Sequence, residues 1–250
     1  MRLTFKYAFT TLASVLFAAT ITSAQTSGPL PSAQDVVAKM MQFDAQRQSE
    51  LTGYSATRRY VAVNKSRRAE MTVHVECAKD GSKQFTVISE DGSGSIRKHV
   101  FQKLLSEETE ASRRGTRTST RLIPANYDFE IVGKETLETG PAYALTVSPK
   151  KPTKYQIDGK IWVDANDYSI VRIEGQPARN PSFWVHSVHF VHTYQKVGQF
   201  WFASSTDTTS EIRIFGDSEL KIENVDYKLT PSGNSTSTTI EAENEARLAQ

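Results

Sequence analysis

Three histidines, a set of carboxylates and a cluster of arginines are the side chains best equipped for chemistry in this 250-residue chain. His186, His189 and His192 recur at every third position. On a helix they would cluster, but the segment SFWVHSVHFVHTY around them alternates as a strand. At ~3.3 Å per residue, His186 and His192 then share a face about 20 Å apart, and His189 faces away. One metal ion cannot be held by all three, so they read as solvated or core-edge histidines. Asp158, Asp164 and Asp167 suggest paired carboxylates, yet Asp164 and Asp167 flank a turn, where Asp bonds its own backbone. No EF-hand spacing accompanies them. Glu107, Glu108 and Glu110 read as the wet face of a helix. The run from Asp91 to Ser95, DGSGS, precedes that helix, but no Walker sequence or full dinucleotide fingerprint follows it. No G-x-S-x-G elbow, H-E-x-x-H pair or Cys–His pairing is present. The expectation is therefore a protein with no catalytic residues, no metal ligands and no cofactor.

Four arginines, Arg113, Arg114, Arg117 and Arg121, lie in a polar stretch without apolar periodicity. This stretch reads as a mobile loop, either simply solvated or meeting anionic head groups or an acidic partner. The single cysteine, Cys77, excludes an internal disulfide and falls in step with Met71, Val73 and Val75, as a buried small hydrophobe would.

These side chains need elements to position them. The stretch from Trp162 to Trp201 is the richest: GKIWVDANDYSIVRIEG reads as a hairpin turning at 164–167. The long strand after it is apolar on both faces, with Phe183, Val185 and Val191 on one and Trp184, Val188, Phe190 and Tyr194 on the other. Two dry environments are then expected, one of them the inside of a barrel filled by side chains or by a ligand. Upstream, Ser32 caps a helix running to about Ser49, with Val36, Val37, Met40, Met41 and Phe43 on one stripe. Strands at 54–63, 68–78 and 83–89 follow at meander spacing. Ile96, Val100, Phe101, Leu104 and Leu105 then repeat at helical spacing, predicting a second amphipathic helix from Ser95 to Ala111. Flexible segments on both sides suit either a plain core helix or a lid over an apolar cavity. After Pro124 nearly everything is strand, with segments at 154–164 and 211–215 among them. Two helices cannot cover both faces of about ten or eleven strands. The economical solution is a strongly curled antiparallel sheet with both helices plugging its concave side, an α+β fold.

Residues 1–24 read as a cleaved secretory signal peptide: Arg2 and Lys6, an apolar run from Tyr7 to Ile21, and small residues at 22–24. No cysteine follows that run, so lipid anchoring is not expected, and neither is a membrane span. Of 30 Lys and Arg, those two belong to the leader, and the rest balances 28 Asp and Glu. A neutral exported chain is no candidate for nucleic acid. Residues 25–31 read as a flexible leader, 32–230 as one domain and 231–250 as a disordered tail.

In this order of parts the chain resembles the LolA/LolB-like periplasmic carriers of outer-membrane lipoproteins. The likeness is carried by the Ser32-capped helix, the meander from Tyr54, the helix from Ser95, the hairpin GKIWVDANDYSIVRIEG, and then SFWVHSVHF and QFWF. It implies an unclosed antiparallel β-barrel with a helical lid, holding a lipid or the acyl chains of a lipoprotein in a periplasmic protein. An inner-membrane exporter and an outer-membrane acceptor are its implied partners. The lid would be Val100, Phe101, Leu104 and Leu105, and the wall Ile161, Val163, Val171, Trp184, Phe190 and Trp201. The resemblance also implies an arginine on an early strand that couples release to the lid. The comparable strand, SKQFTVISED, has none, and Arg58, Arg59 and Arg172 are strand arginines to which no role is assigned. The same fold could instead serve as an envelope sensor or adaptor, with the arginine loop as contact surface.

Overall fold

The computed structural model describes residues 29–65, 67–181, 183, 185–212 and 216–230, with Arg114 and Val185 described by backbone alone. The chain divides into Met1–Leu30 and Pro31–Gln250, and the architecture below is that of the second unit. The expected signal peptide and polar tail lie outside the described residues. Among the described residues no helix is long and apolar enough to cross a membrane.

Ser32 opens helix α1 (Ala33–Glu50) by accepting from the Asp35 amide at 3.1 Å and donating to the Asp35 carboxylate at 2.7 Å. Three long strands follow, β1 (Gly53–Asn64), β2 (Arg67–Ala78) and β3 (Lys83–Gly92). Three contiguous segments, Gly94–Ile96, Arg97–Phe101 and Gln102–Ser112, make one helix, α2, whose middle segment is π-helical. Helix α3 (Arg114–Thr120) leads into β4 (Tyr127–Leu137), β5 (Gly140–Pro149), β6 (Ile157–Asp164), β7 (Ile170–Pro177), β8 (Val185–Val197), β9 (Phe200–Ile212) and β10 (Gly216–Leu229).

All ten strands form one antiparallel sheet in the order β3-β2-β1-β10-β9-β8-β7-β6-β5-β4. Among the described residues the end strands β3 and β4 do not pair, so the curved sheet is an unclosed barrel, and a helical segment joins them in sequence. The β6–β7 hairpin turns as its composition predicts: Asp164 Oδ1 accepts from the amides of Asn166 and Asp167 at 2.8 and 2.9 Å.

Each helix seals one half of the inner face. Val36, Val37 and Met40 of α1 pack on Leu145, Val147, Ile161, Val163, Ile173 and Phe190, from β5 to β8. Ile96 and Phe101 of α2 pack on Tyr60, Ala62, Met71, Val73 and Val75, from β1 and β2. The π-helical segment makes this fit possible, because its extra residue per turn puts Ile96 and Phe101, five apart, on one side.

Three expectations are corrected. The stretch with four arginines is helical over Arg114–Thr120, and not a loop. Asn126 Nδ2 donates to the carbonyls of Thr118 and Arg121, which closes the helix end without any apolar face. Strand β6 begins at Ile157 and not at Lys154; β9 runs to Ile212, and of the strand expected at 211–215, residues 213–215 lie outside the described residues. The second face of β8 is wetter than expected: Phe190 is buried and Val188 and Tyr194 join its core cluster, while on the other face Val191 is half-buried and Phe183, before the strand, is 75% exposed.

Phe101 is fully buried and ties α2 to the sheet. Phe101→Ala should lower unfolding free energy by about 3–5 kcal/mol in urea titrations. A loss under ~1 kcal/mol would mean that α2 does not sit on this sheet in solution.

Candidate functional site

A cavity of about 470 Å³ opens where the two helical seals do not meet. Its walls are Met40 and Met41 of α1, Leu122 and Ile123 after α3, Ile170 of β7, and Tyr194 and Phe200–Phe202 of β8 and β9. The cavity persists because one wall is pinned back. Asp167, in the β6–β7 turn, accepts from Trp201 Nε1 at 2.8 Å, from Lys196 Nζ at 2.9 Å and from the Ser169 amide at 3.0 Å. Burial opposes its ionisation, yet these donors hold its carboxyl down, at about 2. Trp201 is thereby anchored by its polar edge. Arg47 Nη1 donates to the Asp167 carbonyl at 3.0 Å, fastening α1 to the same turn. At the mouth, Arg121 pairs with Asp44 at 3.1 Å.

A second constellation lies beneath α2. Arg58 occupies an inward position on β1 between Ala56 and Tyr60 and is only 7% exposed. Its Nε donates to Asn224 Oδ1 at 2.6 Å, and its Nη1 donates to the Tyr60 hydroxyl at 3.2 Å and to Glu108 of α2 at 2.5 Å. Lys83 of β3 reaches the other Glu108 oxygen at 2.8 Å. Burial works against the Glu108 charge, but Lys83 and Arg58 hold its carboxyl down, at about 2. Lys154, in the β5–β6 connection, pairs with Glu107 at 2.8 Å. Helix α2 is thus clamped by ion pairs as well as by its apolar stripe. His192 lies on the same inner face, 2.7 Å from Thr206 Oγ1, and burial pushes its pKa down to about 4.

The expected site residues separate into distinct places. Val100, Phe101, Leu104 and Leu105 share the β1–β2 cluster under α2, and none of them lines the cavity. Trp201 lines it. Ile161, Val163 and Phe190 are core residues beneath α1. Val171 packs with Trp162 and Ala142 in a separate cluster. A register shift between Trp162 and Val163 on the neighbouring strand breaks the alternation that placed Val171 inward. Trp184 lies outside the described residues. Arg113 pairs with Glu110 at 2.7 Å, Arg121 with Asp44, and Arg117 lies against Gly81 in the β2–β3 turn; the Arg114 side chain is outside the description. The reading of Glu107, Glu108 and Glu110 as a wet face holds for Glu110, half-exposed beside Arg113, and is corrected for Glu108, which turns inward to Arg58 and Lys83. His186 is exposed and His189 sits 3.6 Å from Glu174. Among the described residues no three His, Cys, Asp or Glu side chains converge to hold a metal.

Sequence reasoning missed Arg58 and the α1 side of the cavity. Arg58 was within reach, since it shares the strand parity of Ala56, Tyr60 and Ala62, and a charge at an inward position demands a partner.

No family model matches the chain, and no curated protein matches it. Among solved structures it is similar to a DUF1329 family protein from Desulfovibrio piger, at 12% identity over 87% of this chain and 99% of that chain, with a TM-score of 0.44. It is also similar to a putative outer membrane lipoprotein-sorting protein domain from Vibrio parahaemolyticus, at 13% identity over 87% and 100%, with a TM-score of 0.41. A LolA superfamily protein from Nitrosomonas europaea follows, at 8% identity over 81% and 96%, with a TM-score of 0.38. No residue role is transferred through likenesses of this size.

The buried network sets a pH response. His192 and Glu108 both titrate below their ordinary values of 6.5 and 4.5, so the unfolded chain takes up each proton first. Acidification should therefore cost stability through His192 from pH 6.5 to about 4, then through Glu108 from 4.5 to about 2. Each proton gives a slope of at most ~1.4 kcal/mol per pH unit. Urea titrations along a pH series should show His192→Gln flattening the upper window and Glu108→Gln the lower. An unchanged upper slope in H192Q would sink this assignment.

Proposed function

We propose that this chain is a non-enzymatic periplasmic carrier that shields a lipid, or the acyl chains of a lipoprotein, for transport toward the outer membrane. The observation that carries this reading is the cavity beside α1. At 470 Å³ it lies within the ~300–1,000 Å³ range of small-molecule sites, and its lining is mainly methionine, leucine, isoleucine and aromatic side chains, with Asp44, Arg47 and Arg121 among them. Its one carboxylate, Asp44, is paired with Arg121, and no histidine or cysteine lines it. Burial alone supplies the affinity, at about 0.8 kcal/mol for each methylene taken out of water.

Helix α2 then acts as the lid. Parting Glu108 from Arg58 and Lys83 would release the helix and uncover Val100, Phe101, Leu104 and Leu105, extending the apolar surface beyond the cavity. The exposed Arg113, with Arg114, Arg117 and Arg121, would meet an exporter, an acceptor or lipid head groups. Wall contacts come from Trp201 directly, and from Ile161, Val163 and Phe190 once α1 yields.

Native mass spectrometry on protein recovered from an exported expression tests the reading. A co-purifying lipid or acylated peptide is expected in the wild type. Leu122→Trp, which fills the cavity from one wall, should cut occupancy by about tenfold or more while the fold is kept. An undiminished lipid load in folded L122W would remove the cavity from the mechanism.

A further inference from the structure

The mouth of the cavity carries more information about the ligand than its walls do. The cavity, about 470 Å³ and open at its mouth, has room for at least one long chain.

Three charged side chains line the cavity: Asp44, Arg47 and Arg121. Arg121 is satisfied by Asp44, and Asp44 also accepts from Gln48 Nε2 at 2.9 Å. Arg47 is different. One of its five N–H donors goes to the neutral carbonyl of Asp167, and among the described residues it enters no ion pair. The Asp167 carboxylate itself is taken by Lys196 and Trp201. The balance at the mouth is therefore one positive charge, on a planar fork with donors to spare. Ser169, in the same lining and 3% exposed, strengthens the point. Its hydroxyl lies near the Asp167 carboxylate but closes no hydrogen bond of ordinary geometry. Buried hydroxyls are rarely left so. The C-terminal carbonyls of α1 work against an anion here, although the Arg47 carbonyl is already taken by the Leu51 amide at 3.0 Å.

We propose that this cavity takes a single-chain anionic amphiphile, a long-chain carboxylate, whose tail fills the pocket and whose head is held by Arg47 and Arg121 in competition with Asp44. Binding would break the Asp44–Arg121 pair and replace it by a bidentate contact, so Asp44 is a built-in competitor that weakens capture and eases release. This narrows the ligand class of the proposed carrier site and rests on that reading of the cavity.

Isothermal titration with palmitate, monopalmitoylglycerol and a triacylated lipopeptide separates the possibilities. Palmitate should bind one to one. Arg47→Gln and Arg121→Gln should each weaken it by about tenfold, and Ser169→Ala by about two- to fivefold without lowering Tm. Asp44→Asn should have the opposite sign, tightening palmitate by about two- to fivefold, more at low salt than at high. Monopalmitoylglycerol should be indifferent to all four substitutions. Equal binding of palmitate and monopalmitoylglycerol, unmoved by the charge variants in folded protein, would overturn the head-group assignment while leaving the apolar site intact. Tighter binding of the lipopeptide in competition with palmitate would overturn the single-chain limit. If none of the three ligands binds, both this inference and the carrier reading fall.

Discussion

A guanidinium on the inner face of a sheet must be neutralised, and that requirement decides where the lid helix of this protein sits. Arg58 points into the barrel from β1, where water cannot serve it fully. Its neighbours Tyr60 and Asn224 accept hydrogen bonds without supplying charge. Charge comes from Glu108, fifty residues along the chain, whose other oxygen engages Lys83. The apolar stripe of α2 is compatible with several tilts over β1 and β2. The ion-pair triangle selects one of them, in the way buried polar groups fix registry in other folds. The π-helical segment then lets Ile96, Phe101 and Glu108 all face down from that position.

The division of labour between the two helices follows. Helix α1 covers β5 to β8 and α2 covers β1 and β2, so the strip between them is left to β8, β9 and the segment after α3. A hydrophobic strip of that kind would ordinarily collapse. Here Asp167 holds the indole of Trp201 by its N–H and Arg47 ties α1 to the same turn, so the rim is fixed by polar bonds. Apolar walls with a polar rim give a space that is dry inside and shaped from outside.

Much of this architecture was legible in the residues. The Ser32 cap, the stripe on α1, the turn at Asp164 and the alternations of Tyr127, Phe129 and Ile131 and of Tyr143, Leu145 and Val147 are local patterns, and local patterns survive folding. The failures have a common cause. Helix α3 has arginine, threonine and serine in place of an apolar face, so no periodicity betrays it; its end is secured by Asn126 from beyond the helix. Val171 was misplaced by a bulge, which is invisible to strict alternation. The lid residues form a true stripe, yet which side of the molecule keeps a cavity depends on how distant strands pair, and no spacing along the chain records that.

The pairing of β1 with β10 has a consequence in time rather than in space. Tyr54 lies opposite Leu229, and Arg58 opposite Asn224, so the middle of the sheet is made from the two ends of the domain. The strands β1 to β3 form one meander and β4 to β9 another, each assembled from neighbours in sequence. Nothing joins them until β10 is available to lie between β9 and β1. Partial chains are therefore left with two sticky half-sheets, and the cooperative transition waits for the last strand, the slow, non-local kind of folding.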